Sequence, residues 1–157
     1  RKKNYKLFCK RIFKSIVLMI QKLHKMNIYH LDVKPENIVL DNKINPYLID
    51  FGHSRYDKSG TKYFFNQHIG TRHYRSPEAV YYGCVCFDKY DIWCLGVLLF
   101  ELLTGKVLFP NGYQLHCMEK INALEINEKD LVIKILNKEP QKRLTLNSIL
   151  NHYFLNN

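Results

Sequence analysis

The segment between residues 90 and 104 constrains the fold most strongly, because it is apolar almost all the way round. A helix without a polar stripe is one that other parts of the chain bury on most sides. At about fifteen residues it is too short to cross a bilayer, and Gly105 is placed to end it as a left-handed cap. Its large apolar residues are Ile92, Trp93, Leu95, Val97, Leu98, Leu99, Phe100, Leu102 and Leu103. The segment therefore predicts a domain large enough to enclose a helix completely.

The chain length and composition fit one such domain. Its 157 residues and 46% hydrophobic content are enough for a single core. The formal charge of +10 attracts anions such as nucleotides, phosphoproteins, acidic peptides or nucleic acid, but does not choose among them. A solvated basic exterior explains the charge about equally well.

The cysteines indicate the cellular compartment in which we expect the protein. The five cysteines are an odd number, and Cys84 and Cys86 lack the second pair that a zinc site needs. Free thiols in a reducing compartment are the simpler interpretation. From the thiols we expect an intracellular protein of the nucleus or cytoplasm. No membrane span or signal-peptide pattern is visible. The opening Arg1 suggests a fragment or a processed product.

The remaining pattern predicts a mostly helical domain of the α+β kind. Residues 5–29 carry an apolar stripe at helical spacing. Residues 38–40 and 47–49, joined by turn formers, predict a small β-hairpin. Residues 50–78 show no period and predict a long functional loop. Helical patterns return at 113–124, 128–137 and 145–150.

The side chains that could take part in catalysis are concentrated between residues 30 and 50. Asp32, Lys34 and Asn37 supply a carboxylate, an ammonium and an amide within six residues. Phosphoryl transfer needs a carboxylate for the attacking hydroxyl, a cation for the moving phosphate and oxygen donors for Mg²⁺. The hairpin would return Asp50 beside this cluster, where it could hold Mg²⁺ with Asn37.

Five motifs in this order resemble those of eukaryotic protein kinases, and together they cover nearly the whole chain. His30 to Asn37 resembles the catalytic loop H-R-D-x-K-x-x-N, and residues 50–52 resemble the magnesium-binding D-F-G motif. The others are similar to A-P-E at residues 76–78, to D-x-W-S-x-G at 91–96, and to a late arginine at Arg143. The resemblance implies the C-terminal lobe of a kinase, with catalytic loop 30–37 and activation segment 50–78.

The resemblance also implies roles for single residues. Asp32 would be the catalytic base, Lys34 would contact the transferred phosphate, and Thr71 would tie the substrate-binding loop to both. Asn37 and Asp50 would hold Mg²⁺. The strand of Val39, with Ile38 and Leu40, would lie below the adenine of ATP. Glu78 and Arg143 would form a buried ion pair, and Asp91 would cap the backbone of the catalytic loop.

Residues 70–78 refine the resemblance. Gly-Thr-Arg-His-Tyr-Arg-Ser-Pro-Glu is similar to the branch of cyclin-dependent, MAP and Cdc-like kinases, and T-R-H-Y-R looks like the Cdc-like (LAMMER) kinases. Residues 115–121 loosely resemble the stretch that names that group. The likeness implies transfer to Ser and Thr, autophosphorylation on Tyr, and protein substrates that include Arg/Ser-rich or basic ones.

The N-terminal lobe of a kinase is not visible in this sequence. No G-x-G-x-x-G loop occurs, and the chain opens close to the first large helix of the C-terminal lobe. We expect that lobe to belong to the same kinase. If it is absent, apolar residues would be exposed where it should sit, and the chain would be a truncated, catalytically incompetent binding module. A basic nucleic-acid binder has only charge in its favour.

Leu31 departs from the family pattern and generates a prediction. It replaces the arginine that in many kinases receives a phosphate from the activation loop, and a leucine cannot donate to a phosphate. We expect activity not to need such a phosphate. Thr61, Tyr63 and Thr71 would be replaced singly and kinase activity measured. An essential phosphate on Thr61 or Tyr63 would contradict the hypothesis.

Overall fold

A computed structural model describes residues 2–59, 62–64 and 69–157; Thr61 lies outside the described residues. The α-helices are α1 (Lys2–Lys25), α2 (Pro77–Tyr82), α3 (Phe87–Thr104), α4 (Ile126–Ile135), α5 (Leu146–Leu150) and α6 (Tyr153–Asn156). The strands are β1 (Ile28–Tyr29), β2 (Ile38–Leu40), β3 (Pro46–Leu48), β4 (Arg55–Tyr56), β5 (Lys62–Phe64) and β6 (Cys84–Cys86). Short 3₁₀ helices cover Pro35–Asn37, Arg72–Tyr74, Leu115–Ala123 and Pro140–Lys142. The predicted fold class is confirmed: helices dominate and the sheets are small.

Helix α3 is the centre of the domain. Every residue from Tyr90 to Phe100 is buried, as the all-round apolar pattern predicted. Gly105 ends the helix with a φ of 65°, which confirms the predicted left-handed cap. Helices α1 and α4 pack against α3. The helix therefore joins the N-terminal and C-terminal parts of the chain into one core.

In the described ranges, the strands form three two-stranded antiparallel sheets. The predicted hairpin is confirmed: β2 pairs with β3, with Val39 opposite Tyr47. The β1–β4 and β5–β6 ladders were not predicted, because runs of two or three residues carry no readable alternation. The β5–β6 ladder ties part of the segment 50–78 to the strand just before α3.

The helix predicted over residues 5–29 is too long. Helix α1 ends at Lys25, and Asn27 takes a left-handed φ of 58° that a helix cannot contain. Ile28–Tyr29 then pair with Arg55–Tyr56 as a strand. A pair of apolar residues directly after a helical stripe is compatible with either helix or strand. The sequence pattern therefore could not place the end of α1.

The segment 50–78 is also less irregular than predicted, since it contains β4, β5, a 3₁₀ turn and the start of α2. The pattern at 113–124 becomes a 3₁₀ helix over Leu115–Ala123. Those at 128–137 and 145–150 become α4 and α5, and the short α6 was missed. Within the described ranges, no helix is both long and apolar enough to span a membrane.

Gly96 shows how closely the helices approach. A Cβ added there would lie 2.7 Å from Ile135 Cγ2 and from Leu136 Cδ2. Both of these side chains are buried, so neither can swing out of the way. The middle of α3 and the end of α4 can approach this closely only because position 96 has no side chain.

We expect Gly96→Ala to destabilise the domain by about 1–3 kcal/mol through overpacking. Helix propensity alone predicts the opposite sign, since alanine is favoured over glycine by about 1 kcal/mol inside a helix. Urea unfolding, monitored by circular dichroism, measures the sign of the change in the free energy of unfolding. Adding Leu136→Ala should give a double mutant less destabilised than the sum of the single ones; a stabilised Gly96→Ala would contradict the close packing.

Candidate active site

The carboxylate of Asp32 lies at the centre of a buried polar cluster. Its Oδ1 accepts hydrogen bonds from the Thr71 amide (2.9 Å) and the Thr71 hydroxyl (2.7 Å). Its Oδ2 accepts from Asn37 Nδ2 at 3.0 Å and forms an ion pair with Lys34 Nζ at 2.8 Å. Lys34 Nζ also donates to Thr71 Oγ1 at 2.6 Å. Four of the predicted site residues are therefore in direct contact, although they come from two separate stretches of chain.

The protonation of Asp32 follows from these contacts. Burial by itself would raise the pKa of Asp32, but the hydrogen bonds from Lys34 and Thr71 and the charge of Lys34 outweigh burial and lower it below the usual range. The group is therefore ionised at neutral pH. Its contribution to folding stability is present at neutral pH and is lost as the pH falls through the lowered pKa. At neutral pH the cluster presents a hydrogen-bond acceptor.

Asp91 on α3 fixes the backbone just before Asp32. Its two oxygens accept from the amides of His30 (2.9 Å) and Leu31 (2.8 Å), and His24 Nε2 lies 2.8 Å from Oδ2. Leu31 has a φ of 66°, an uncommon conformation for a leucine that surrounding contacts must hold. The predicted cap on this loop is present. The side chain of Leu31 is fully buried, so it belongs to the core.

The β2–β3 hairpin returns the chain to the cluster, as predicted. The amide of Ile49 donates to the Asn37 carbonyl at 2.9 Å, and the Ile49 carbonyl lies 3.1 Å from His30 Nε2. The ring of Phe51 meets that of His30 edge to face, with centroids 5.0 Å apart. Asp50, between Ile49 and Phe51, is thus tied on both sides to residues of the 30–37 loop.

Asp50 and Asn37 offer oxygen atoms that suit a hard cation. Asp50 is exposed and has a φ of 59°; its Oδ1 accepts from the Gly52 amide at 3.1 Å. The amide nitrogen of Asn37 is used by Asp32, and among the described residues no donor reaches its Oδ1. One carboxylate and one amide oxygen match the small set that Mg²⁺ takes alongside phosphate. The residues present therefore fit the metal that the sequence implied.

Comparison with known proteins decides the family. Residues 6–155 match the family model described as the protein kinase domain. This chain belongs to the protein kinase family. A probable serine/threonine-protein kinase of Dictyostelium discoideum is 36% identical over 148 residues, which are 93% of this chain and 10% of that protein.

Two further relatives are also named as kinases. The carbon catabolite-derepressing protein kinase of Secale cereale is 31% identical over 156 residues, covering 94% of this chain and 31% of the relative. The serine/threonine-protein kinase cds1 of Schizosaccharomyces pombe is 32% identical over 161 residues, covering 92% and 35% respectively. The chain thus spans a tenth to about a third of the length of these relatives.

The segment 50–78 is anchored by the predicted pair of Glu78 and Arg143, which is confirmed. Arg143 Nη1 and Nη2 donate to Glu78 Oε1 (2.7 Å) and Oε2 (2.6 Å) in a two-pronged contact. The guanidinium also donates to the Lys89 carbonyl at 2.9 Å and lies 4.8 Å from the centre of the Trp93 ring. The arginine therefore binds α2, α3 and the C-terminal region together.

An aromatic stack that the sequence did not reveal holds the segment near its middle. Tyr63 of β5 lies flat on Phe87, with centroids 4.2 Å apart and an angle of 2°. Phe87 in turn contacts Tyr29, centroids 5.6 Å apart, next to the catalytic loop. Single aromatic residues 24 positions apart give no sequence signal of a stack. The two contacts join the segment 50–78 to the residue just before the 30–37 loop.

Arg143→Met should destabilise the kinase by about 3–5 kcal/mol, because it leaves the buried Glu78 carboxylate without a partner. The neighbouring variant Lys142→Met removes a surface ion pair with Glu139 and should cost less than about 1 kcal/mol. Both would be measured by urea unfolding. Equal effects at the two positions would show that the Glu78 pair contributes nothing specific.

Proposed function

We propose that this chain is the catalytic C-terminal part of a protein kinase that transfers the γ-phosphoryl group of ATP to Ser and Thr hydroxyls of proteins. The observation that carries the proposal is the Asp32 carboxylate, ionised and held by Lys34, Asn37 and Thr71. Its relatives are named as protein kinases. The chain covers only part of their length, so the activity of the whole protein is a proposal.

Each residue of the cluster has a separate task in this mechanism. Asp32 accepts the hydrogen of the attacking hydroxyl and aims its oxygen at the phosphate. Lys34, now shared between Asp32 and Thr71, offers its positive charge to the oxygens of the transferring group. Thr71 keeps the substrate-binding loop beside the carboxylate. Asn37 and Asp50 would hold Mg²⁺, which supplies charge neutralisation on the phosphates when bound.

The nucleotide would lie against the hairpin. Val39 is 44% exposed and Leu40 46% exposed, and Ile49 and Phe51 are also exposed. Exposed apolar side chains at the edge of a site are a surface that another element covers. We propose that Val39, with its strand neighbours, forms the floor under the adenine, and that an N-terminal lobe of the same kinase forms the roof.

The finer class of kinase rests on residues 70–78. Their likeness to the Cdc-like kinases supports dual specificity, with Tyr as a further acceptor, and Arg/Ser-rich or basic protein substrates. All five cysteines are buried and none forms a disulfide within the described residues, which supports a reducing intracellular location, nuclear or cytoplasmic. Two of the relatives named above are called serine/threonine-protein kinases and the third a protein kinase, so transfer to Ser and Thr has the broader support.

A non-catalytic binding module is the second candidate. The exposed apolar hairpin favours it, because that surface could bind a partner protein in place of a nucleotide. The coding sequence upstream discriminates between the two, since an active kinase needs a glycine-rich loop and a strand lysine there. Retention of Asp32, Lys34, Asn37 and Asp50 together favours the enzyme, because a scaffold does not need all four.

Asp32→Asn should lower the rate by about 10²–10⁴, because the amide keeps the size but cannot accept the proton. The chain would be joined to its upstream lobe and ATP-dependent peptide phosphorylation measured. Asp130→Asn, on the exposed face of α4, is the matched control and should keep its activity. Full activity in Asp32→Asn would exclude this residue as the base.

A further inference from the structure

The imidazole of His24, in the last turn of α1, lies against the buried carboxylate of Asp91. Its Nε2 is 2.8 Å from Asp91 Oδ2, and both side chains are largely shielded from solvent. A carboxylate can only accept hydrogen bonds, so the ring nitrogen is the donor. Within the described residues, this is the one hydrogen bond of the ring. The only polar partner of His24 there is thus the residue that fixes the backbone before Asp32.

His24 completes the set of donors around this carboxylate. Asp91 Oδ2 also accepts from the His30 amide at 2.9 Å, and Oδ1 accepts from the Leu31 amide at 2.8 Å. Without the imidazole, Asp91 would keep only the two backbone donors and could rotate about its Cβ–Cγ bond. A buried carboxylate is stable only when its hydrogen bonds are made. His24 therefore fixes the orientation in which Asp91 meets both amides.

The orientation of Asp91 matters because the backbone that it holds is in an unfavourable conformation. Leu31 has a φ of 66°, which costs free energy for a residue other than glycine and persists only where its surroundings hold it. The next residue is Asp32, whose carboxylate is the centre of the polar cluster. The two residues share a peptide bond, so a shift of the Leu31 backbone moves the Asp32 carboxylate.

Packing holds the imidazole ring in place for this contact. The ring lies on that of the buried Tyr29, with centroids 4.9 Å apart and an angle of 50°. The backbone of the same residue is also held, because the Asn27 amide donates to the His24 carbonyl at 3.0 Å. A donor that is already ordered loses little conformational entropy when it binds its acceptor.

We propose that His24 is a positioning residue for phosphoryl transfer. Its Nε2–H donates to Asp91 and thereby keeps the Leu31 backbone and the Asp32 carboxylate in the geometry that the reaction needs. The inference rests on the proposed kinase function and adds a residue that acts through another one. His24 contacts none of the residues proposed to hold nucleotide or metal. Loss of its hydrogen bond should therefore lower kcat and leave the KM values for ATP and peptide nearly unchanged.

Substitutions at position 24 separate the hydrogen bond from the bulk of the ring. His24→Leu keeps a side chain of similar size without a donor, and kcat should fall by about tenfold to a hundredfold. His24→Gln offers an amide N–H in place of the ring N–H and should recover most of the loss. Both would be assayed with the chain joined to its upstream lobe. An unchanged kcat in His24→Leu, or an equal fall in both variants, would exclude the donated hydrogen bond as the cause.

His152 provides a matched control for loss of stability. Its Nε2 lies 2.9 Å from Asp130 Oδ2, and its side chain is 12% exposed, the same fraction as that of His24. The pair joins α4 to the start of α6 and does not touch the Asp32 cluster. His152→Leu should lower the free energy of unfolding while kcat stays at the wild-type value. If kcat fell as far as in His24→Leu, general destabilisation would account for both effects and the proposal would be wrong.

A cavity beside His24 allows a chemical test of the same hydrogen bond. It has a volume of about 410 Å³, lies between α1, α3 and α5, and has His24 in its lining. His24→Ala would join the space of the lost ring to this cavity, so that dissolved imidazole could reach Asp91. Imidazole should raise the kcat of His24→Ala, whereas neutral 1-methylimidazole, which has no N–H, should not. Equal rescue by both compounds would show that filling the space is enough, and that no donor is needed.

Hydrogen exchange measures the inferred effect without catalysis. The peptide that contains the amides of His30 and Leu31 should exchange about tenfold to a hundredfold faster in His24→Leu than in the wild type, with no such change in His152→Leu. Mass spectrometry of the joined protein gives both rates. Faster exchange supports the inference even if no substrate is phosphorylated, in which case only the kinase proposal fails. Unchanged exchange in an active kinase removes the role of His24 alone.

Discussion

The carboxylate of Asp91 is the contact on which the active site depends. It lies in the most buried helix of the domain and accepts two backbone hydrogen bonds from the catalytic loop. Those bonds hold Leu31 in a left-handed conformation, and that conformation directs Asp32 toward Thr71 and Lys34. A loop with this conformation would not persist in isolation, since a residue in this region needs its surroundings to stabilise it. The central helix therefore shapes the cluster around Asp32 as well as forming the core.

The sequence predicted those features that depend on local patterns or on motifs. The apolar period of residues 90–104 predicted a buried helix, and the turn formers after Leu40 predicted the hairpin that brings Asp50 back to the 30–37 loop. The pair of Glu78 and Arg143 came from the family resemblance, because nothing in residues so far apart indicates contact on its own. The resemblance indicated which residues would lie around Asp32, but the distances between them required the structure.

Other features could not be predicted, for identifiable physical reasons. The boundary after Lys25 depends on the left-handed backbone of Asn27, a conformation that asparagine adopts only in some contexts. The stack of Tyr63 on Phe87 depends on β5 meeting β6, and strands of three residues carry too little pattern to read.

The link between Glu78 and Arg143 has a consequence for the order in which the domain forms. The two residues are 65 positions apart and lie on either side of α3 and α4. Closing so long a loop costs chain entropy before the contact repays it, so we infer that the activation segment docks after the helical core has assembled. During synthesis the arginine leaves the ribosome among the last residues of the domain. The segment 50–78 would then be the last part of the domain to dock.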